Sequence, residues 1–230
     1  MQFKIIIYKM QIHIITAFPE MFESPFSKSI LKRAQEQKLI TIKTHNIRKW
    51  TNDKHKTIDH RPYGGGAGMV MMVEPIYKAV KEIQESIGDK KTLVLLTSAK
   101  GQVFTQKHAR DFSKYEAIIF ICGHYEGIDE RVKEHIADLE ISIGQYVLTG
   151  GEIPAMVITD AVTRLLPGVL GNETSIENES FTDENKTEAP QYTRPEKFIT
   201  DEGSEWTVPE VLLSGNHSNI EAWRKSKSTI

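Results

Sequence analysis

The sequence predicts an α/β domain with a mostly parallel sheet, on three observations. Strand-like and helix-like patterns alternate through the first 170 residues, as parallel sheets require. Continuous apolar runs at residues 92–97 and 117–122 are typical of strands buried on both faces. The second of these runs, and a later one that begins at Ile141, both lead into glycine-containing loops. Because ligands of α/β proteins bind beyond the carboxyl ends of strands, these loops predict a binding crevice.

The first part of the chain contributes two strands and one helix to this prediction. Apolar residues alternate over residues 11–18 and again over residues 39–46, as they do in strands. Between the two strands, Ser24 and Pro25 suit the N-cap and the first position of a helix. We expect this helix to run to about Lys38.

Two helices are predicted around the first buried strand. A helical pattern begins at Glu74-Pro75 and runs to Ile87, with Gly88 in the position that commonly ends a helix. After the strand, Thr105 is placed to cap a short helix that ends at Phe112.

We expect the working centre of the protein in residues 141–154. An apolar, strand-like run is interrupted there by Gly144, resumes at residues 146–148 and stops at Gly150 and Gly151. Glycines let a backbone approach a ligand closely, and the ligand can satisfy amide and carbonyl groups of the turn. A buried strand, turn and helix with glycine for packing alone is the alternative interpretation.

A further helix is predicted directly after this turn. It begins at Glu152 and ends at Pro167-Gly168. The residues expected to form its apolar face are Ile153, Met156, Val157, Ala161, Val162, Leu165 and Leu166.

Positive charge is concentrated between Lys28 and Arg61, although the net charge of the chain is only −2. This stretch contains ten lysines and arginines against three acidic residues, with three histidines and Trp50 among them. Such a surface can contact phosphate, and a solvated helix face with its loop is the alternative. The glycine-rich residues 61–68 are not a Walker A loop, because no Gly-Lys-Ser/Thr follows.

Composition indicates an ordinary globular protein, with 39% hydrophobic and 26% charged residues. No apolar run approaches the roughly 20 residues of a transmembrane helix. We do not interpret residues 1–9 as a signal peptide. The single cysteine, Cys122, excludes an internal disulfide and favours a cytoplasmic location. In its apolar strand, Cys122 is interpreted as a small buried hydrophobic residue, with a reactive thiol as the alternative.

Several enzyme classes lose support because their motifs are missing. The sequence has no Cys/His cluster at zinc spacing, no His-Glu-x-x-His and no Gly-x-Ser-x-Gly. It also has no Gly-x-Gly-x-x-Gly after a strand. Metalloproteases, serine hydrolases, kinases and standard nicotinamide dehydrogenases are therefore disfavoured.

The character of the chain changes after Gly168. Residues 171–190 carry six acids, one lysine and few large apolar side chains, which predicts a flexible linker. We expect a first domain at residues 1–170, the linker at residues 171–195, and a small helical domain at residues 196–230. In the last of these, Ser218-Asn-Ile-Glu221 has the spacing of a helix capping box.

Six motifs follow one another in a fixed order along the chain. They are RPYGGGAGM (61–69), CGHYEGIDER (122–131), SIGQYVLTGGE (142–152), LPGVLG (166–171), YTRP (192–195) and LLSGNH (212–217). Together they closely resemble the motifs of the bacterial tRNA (guanine-N(1))-methyltransferase family, of the TrmD type. The resemblance covers residues 10–224, so residues 1–9 are expected to be an extension and the C-terminal domain to be truncated relative to the family.

The resemblance implies a SPOUT-type fold, in which the carboxyl edge of the sheet is tied in a deep trefoil knot. S-adenosylmethionine is expected to bind in this knot, held mostly by backbone groups. The residues that the resemblance assigns to this cosubstrate are Leu96, Thr97, Ser98, Gly123, Tyr125, Glu126, Gly127, Ile143, Gly144, Gln145, Tyr146, Val147, Leu148, Gly150, Gly151 and Pro154. No metal ligands are assigned; the resemblance allows a magnesium dependence without a site.

The implied reaction moves a methyl group to ring nitrogen 1 of the guanine immediately 3′ of the tRNA anticodon. That nitrogen carries a proton near neutral pH, so a general base must remove it. The resemblance assigns the base to Glu179, where the family has an aspartate, and Glu177 and Asp183 are alternatives. Arg164 is expected to stabilise negative charge that develops toward the guanine O6.

The family is homodimeric, and the linker of one subunit is expected to close the active site of the other. Apart from tRNA, no nucleic-acid partner is predicted, and no membrane association is predicted either.

His124 is a further departure from the family pattern, because an arginine is common at this position. Two rival interpretations stay open: an RNA-binding protein of the same fold that has lost catalysis, and a related SPOUT enzyme that methylates ribose or another RNA.

Overall fold

A computed structural model describes residues 9–170, 180–181 and 187–228. The chain divides into two compact units, Met1–Gly171 and Asn172–Ile230. Each unit is described by itself below. Among the described residues, no helix has the length and apolar character needed to cross a membrane.

The first unit is built on a five-stranded sheet in which every neighbouring pair of strands is parallel. The strand order is β2-β1-β6-β5-β7. The strands are β1 (Met10–Thr16), β2 (Ile40–Asn46), β5 (Thr92–Val103), β6 (Ala117–Cys122) and β7 (Leu139–Ser142). A short antiparallel pair lies outside this sheet and consists of β3 (Asp59–His60) and β4 (Val70–Met71). The α/β class with a parallel sheet is thus confirmed, and the knot stays a prediction.

Strand β5 is longer than the apolar run that predicted it. Its first half pairs with both β6 and β7, and the register with β7 then shifts between Thr97 and Gln102. The polar residues after Thr97 hid this extension. Gly101 permits it, because a Cβ there would lie 2.6 Å from the carbonyl carbon of Ile141, closer than atoms can pack.

Helices cover both faces of the sheet. They are α1 (Glu23–Phe26), α2 (Ser29–Glu36), α3 (Val73–Ile87), α4 (Gln106–Phe112), α5 (Arg131–His135) and α6 (Glu152–Thr163), with 3-10 turns at Pro19–Phe22 and Ile47–Trp50. One core contains α2, α4 and α6, and the other contains α3 and α5. Alternate residues of β6 face the two cores: Phe120 belongs to the first, and Ile119 and Ile121 to the second.

The predicted helix from Ser24 to Lys38 is wrong, because the structure breaks it into α1 and α2. The first residue of α2, Ser29, has a positive φ of 51°. In an unbroken helix, Phe26 and Leu31 would point about 140° apart. The break lets both side chains enter the same core, where Phe26 also stacks on Phe22 at 5.5 Å between ring centroids. Tertiary packing therefore overrides local helix propensity here.

Strand β7 ends at Ser142, so the strand predicted over residues 146–148 is wrong. The Ser142 hydroxyl donates a 2.9 Å hydrogen bond to the Gly144 carbonyl, which closes a turn instead of continuing the ladder. The apolar side chains that suggested a strand are exposed in the loop that follows: Tyr146, Val147 and Leu148.

The predicted apolar face of α6 is also wrong in part. Ala155, Ile158 and Val162 are fully buried, whereas Ile153 and Val157 are 44% and 43% exposed. Apolar residues surround this helix, so its periodicity alone could not identify the face that meets the sheet. The helix ends at Thr163, before the predicted residues Leu165 and Leu166.

The second unit contains a β-hairpin that the sequence did not predict. Its strands are β8 (Lys197–Ile199) and β9 (Glu205–Thr207), and the Phe198 and Trp206 rings pack across it at 5.6 Å. Two helices follow, α7 (Glu210–Leu213) and α8 (His217–Lys227). The predicted capping box at Ser218 is wrong, because the Asn216 side chain caps α8 and accepts a hydrogen bond from the Asn219 amide at 3.2 Å.

Candidate active site

A cavity of about 390 Å³ lies at the carboxyl ends of β6 and β7 and beside residues 96–100 in the middle of β5. The loops after β6 and β7 form two of its walls, as expected for the ligand crevice of an α/β protein. All of the residues assigned to the cosubstrate except Gln145 line it: Leu96, Thr97, Ser98, Gly123, Tyr125, Glu126, Gly127, Ile143, Gly144, Tyr146, Val147, Leu148, Gly150, Gly151 and Pro154. Segments that are far apart in sequence therefore converge on one space.

Glycine allows two of these loops to touch. The Gly151 amide donates a 2.8 Å hydrogen bond to the Gly123 carbonyl. A methyl group at Gly151 would overlap with Thr97 Oγ1 and lie 2.8 Å from the Gly123 nitrogen. The Thr97 hydroxyl is itself held by the Ile121 carbonyl at 3.2 Å. This contact requires a residue without a side chain, so Gly151 has the packing role of the alternative interpretation, and close approach of this backbone to a ligand stays a prediction.

The loop after β6 is held in an uncommon backbone conformation. Tyr125 has a φ of 60°, which a residue with a bulky side chain seldom adopts. Its neighbours are paired with the segment before α3: the Glu126 amide donates to the Met69 carbonyl at 3.0 Å, and the Met71 amide donates to the Gly127 carbonyl at 2.9 Å. Backbone strain of this kind is found at ligand-binding sites, where surrounding contacts stabilise it.

The glycine-rich loop predicted from residues 61–68 reaches the same wall. A Cβ at Gly68 would overlap with the Glu126 side chain, so the loop ends in direct contact with the cavity lining. The backbone of this loop has positive φ at Gly64, Gly65, Gly66 and Gly68. Tyr63, which lies between these glycines and the basic stretch, is fully exposed.

Charged side chains line the outer part of the cavity. Arg131 forms a two-pronged ion pair with Asp129, at 2.8 and 2.7 Å, and this hydrogen bonding lowers the pKa of the Asp129 carboxyl. Lys133 bridges Glu130 and Glu140 at 3.2 Å each. Those hydrogen bonds raise the pKa of the Lys133 ammonium, so Lys133 is charged at neutral pH.

Glu152 is a site residue that sequence reasoning missed. It begins α6 directly after the Gly150-Gly151 turn, and its side chain is only 1% exposed. One carboxylate oxygen accepts a 2.7 Å hydrogen bond from the Thr16 hydroxyl. The other lies 3.7 Å from His124 Nε2. A helix start just after two glycines hinted at a special position, but burial of the acid is a tertiary property.

Cys122 lies beside this carboxylate and is fully buried. Burial, together with the nearby charge of Glu152, raises the pKa of the Cys122 thiol. The thiol is therefore protonated and weakly nucleophilic, which supports the structural interpretation of this cysteine.

Only one of the two predicted catalytic residues lies in the described part of the chain, so their meeting stays a prediction. Arg164 lies at the C-cap of α6, partly buried, and it does not line the cavity. It is about 15 Å along the helix axis from Pro154, at the other end of the same helix. Glu179 and its alternatives, Glu177 and Asp183, lie outside the described residues.

Part of the basic stretch has a structural role. The Arg48 guanidinium donates a 2.7 Å hydrogen bond to the Ala17 carbonyl and lies 5.9 Å from the Phe18 ring centroid. Trp50 donates its indole N–H to Glu82 at 2.6 Å. The lysines Lys43, Lys54 and Lys56 are exposed and keep the electrostatic role predicted for this surface.

Comparison with known proteins identifies the family. The family model described as tRNA (Guanine-1)-methyltransferase TrmD matches residues 10–230. A tRNA (guanine-N(1)-)-methyltransferase of Carboxydothermus hydrogenoformans is 58% identical over 221 residues, which cover 96% of this chain and 83% of that protein. The protein of the same name from Dictyoglomus turgidum is 53% identical, covering 95% and 85%, and that of Staphylococcus carnosus is 51% identical, covering 96% and 86%. The chain therefore belongs to the tRNA (guanine-1)-methyltransferase TrmD family.

Proposed function

We propose that this protein transfers the methyl group of S-adenosylmethionine to ring nitrogen 1 of the guanosine immediately 3′ of the tRNA anticodon. Such a modification protects the reading frame during translation. The observation that carries the proposal is the convergence on one cavity of the loops after β6 and β7, each with a motif of the family, and of residues 96–100 of β5. The reaction would take place in the cytoplasm, where tRNA is used.

The cavity fits the methyl donor in size and in chemistry. Its volume of about 390 Å³ falls within the range for small-molecule sites, roughly 300–1,000 Å³. Glycines at positions 123, 144, 150 and 151 line the cavity, where they place no side chain between the backbone and a ligand. When bound, S-adenosylmethionine supplies an electrophilic methyl group on a sulfonium.

The chain's own groups would then divide the work of binding. Backbone groups of residues 143–148 would hold the edges of the adenine, and the apolar side chains there would contact its faces. The carboxylates of Glu126 and Asp129 create a negative potential at the cavity wall, which favours a ligand that carries positive charge.

Methyl transfer also needs removal of the proton from guanine N1. We assign this step to the carboxylate of Glu179, with Glu177 or Asp183 as the alternatives. Arg164 would stabilise the negative charge that builds up toward O6 as the proton leaves. The donor cavity and Arg164 lie at opposite ends of α6, so the guanine would have to be held along this helix or beside a second subunit.

A homodimer with its active site at the subunit interface is therefore part of the proposal. Apolar side chains are exposed next to the cavity, both in the loop (Tyr146 to Leu148) and on α6 at Ile153 and Val157. Ile153 and Val157 are four residues apart, so they lie on the same helix face. A surface of this kind is suited to a self-complementary contact between two copies.

Basic residues would contact the phosphates of the tRNA. The C-terminal helix α8 carries Arg224, Lys225 and Lys227 in its last turns, and Lys225 is partly neutralised by Glu221 at 2.9 Å. The exposed lysines of the basic stretch would add contacts from the first unit.

A magnesium dependence belongs to the proposal as well. Glu126, Asp129, Glu130 and Glu140 line the cavity and offer the oxygen ligands that Mg²⁺ prefers. Within the described ranges, no three metal-ligating side chains are close enough to form a site. Magnesium would thus draw its other ligands from water and from substrate oxygens. Loss of methyl transfer in a chelator, with recovery on adding Mg²⁺, would support this dependence.

One assay tests the proposed function. The protein is incubated with labelled S-adenosylmethionine and an unmodified tRNA that has G immediately 3′ of the anticodon, and the modified nucleoside is mapped. A tRNA with A at that position is the matched control. We expect N1-methylguanosine at that single position and no label in the control. A 2′-O-methyl product would reassign the protein to ribose methylation, and tRNA binding without transfer would make it an RNA-binding protein.

A further inference from the structure

The buried carboxylate of Glu152 has an incompletely satisfied oxygen beside the donor cavity. Its Oε1 accepts the Thr16 hydroxyl at 2.7 Å, and that hydroxyl oxygen also accepts the Phe18 amide at 2.9 Å, so this side is fixed. Its Oε2 is buried and has no hydrogen-bond partner among the described residues. A buried carboxylate oxygen without a donor is costly, so a donor or a cation is expected in the working state of the protein.

His124 is the nearest side chain that can meet this need. Its Nε2 lies 3.7 Å from Glu152 Oε2, within the range of an ion pair but too long for a hydrogen bond. Gly150 makes the approach possible: a methyl group there would lie 2.6 Å from His124 Nε2 and overlap with Glu152 Oε2. His124 belongs to the loop after β6, and Glu152 belongs to the turn before α6. The pair therefore links two separate walls of the cavity.

Other groups around the pair do not replace this interaction. Cys122 on β6 feels the charge of Glu152 but holds its own proton. Phe18 packs against the His124 ring at 4.8 Å, and the Arg48 guanidinium lies on that phenyl ring and bonds to the Ala17 carbonyl. The Tyr125 ring meets His124 edge-on at 5.7 Å. Because Arg48 is bonded to the Ala17 carbonyl, the imidazole of His124 is the neighbour placed to donate a hydrogen bond to Glu152 Oε2.

We propose that His124 and Glu152 are positioning residues for the methyl donor. The imidazole Nε2 of His124 donates a hydrogen bond to Glu152 Oε2 and holds the two walls in the arrangement that binds S-adenosylmethionine. Neither residue touches the reacting atoms. The inference depends on the proposed function for the identity of the ligand, and it adds which residues of this chain set the geometry of the cavity.

The pairing has a consequence that a purely packing role lacks. Arginine can supply a donor to Glu152 Oε2 at this position, whereas alanine cannot. Loss of the donor should weaken the affinity for S-adenosylmethionine by about 3- to 10-fold, the size expected for one charge-assisted hydrogen bond at a partly buried site.

Calorimetric titration with S-adenosylmethionine tests the inference. Wild type is compared with His124→Arg, His124→Ala and Glu152→Gln. We expect His124→Arg to keep an affinity close to that of wild type, because it restores a donor for Glu152 Oε2. We expect His124→Ala and Glu152→Gln to bind about 3- to 10-fold more weakly.

The chain offers a matched control. His135 and Glu134 also lie 3.7 Å apart, but they are exposed to solvent on α5. The variants His135→Ala and Glu134→Gln should leave affinity unchanged. Thermal unfolding is recorded for each variant; should Glu152→Gln fail to fold, the His124 variants decide, because their side chain lies on a partly exposed loop.

Two negative results are distinguishable. A folded His124→Ala that binds as tightly as wild type, or a His124→Arg that binds as weakly as His124→Ala, would overturn the pairing and leave the proposed function intact. A wild type that binds no S-adenosylmethionine would overturn the proposed function, and this inference with it.

Discussion

Gly151 shows how strongly a single residue can constrain the site. Its Cα faces Thr97 Oγ1 and the backbone of Cys122 and Gly123, so no Cβ can be accommodated without moving a cavity wall. Gly151→Ala should weaken binding of S-adenosylmethionine by more than about 10-fold and destabilise the fold by about 1–3 kcal/mol, as overpacking does. Calorimetry and urea unfolding measure the two effects.

Gly88 provides the control for that substitution. It has a φ of 71° and open space around it, far from the cavity loops in sequence. Gly88→Ala should cost roughly 1 kcal/mol of stability through backbone strain and leave donor binding unchanged. Weakened binding in both variants would mean that stability, and not the shape of the cavity, governs affinity.

Glu179 carries the residue-scale prediction for catalysis. Glu179→Ala should retain donor binding and lose at least about 100-fold in methyl transfer, because a positioned general base contributes that much or more. Single-turnover transfer is compared for Glu179→Ala, Glu177→Ala and Asp183→Ala. Near-normal turnover of Glu179→Ala would move the base to whichever of the other two variants is inactive.

The pairing of β1 with β2 carries a prediction for stability. His13 on β1 and His45 on β2 stack at 5.1 Å between ring centroids, with 3.0 Å between their facing nitrogens. Burial, together with the charge of His45, lowers the pKa of His13 from 6.5 to about 4. The unfolded chain therefore takes up a proton near pH 6.5 that the folded chain refuses until about pH 4.

The sign of the effect follows from that difference. The contribution of His13 to stability is complete above pH 6.5 and is lost as the pH falls from 6.5 to about 4, by about 1–3 kcal/mol in total. Between pH 7 and pH 5, urea unfolding should show a smaller loss of unfolding free energy for His13→Asn than for wild type. An equal loss of unfolding free energy in both proteins would show that the pKa of His13 is not lowered in the folded protein.

Elements whose cause is local were predictable from the sequence, and elements whose cause is tertiary were not. The strands at residues 92–97 and 117–122 are continuous apolar runs, and the structure confirms them. The break between α1 and α2 exists because Phe26 and Leu31 must reach one core, which no local pattern encodes. The exposed face of α6 escaped prediction for the same reason, since apolar residues surround the helix.

The cavity was predicted better than the residues that support it. Motifs located its three walls, because glycines at strand ends mark positions where backbone must come close. Glu152 was missed since nothing in a sequence shows that an acid is buried. Arg164 and Glu179 were assigned by resemblance. The proposal that both act on one guanine concerns an assembly of two subunits, which a single chain does not display.

At the scale of the whole molecule, the proposed homodimer can be tested through α6. Val157→Lys places a charge on the exposed apolar face of this helix and should convert a dimer to a monomer in sedimentation equilibrium. Because the active site would lie at the interface, methyl transfer should fall with dimerisation. Tyr77→Lys is the control, since Tyr77 is 52% exposed on α3, which belongs to the other core. A monomeric wild type with full activity would contradict the dimer.

The central claim is that the glycine-containing loops after β6 and β7, together with residues 96–98 of β5, hold the methyl donor. A crystal structure of the protein with S-adenosylhomocysteine, the product form of the donor, tests it most directly. We predict density for the adenosine against residues 143–148 and for the amino-acid tail beside Glu126, with Gly123 and Gly151 in contact with the ligand. Density elsewhere on the molecule, or none in this cavity under saturating ligand, would contradict the account.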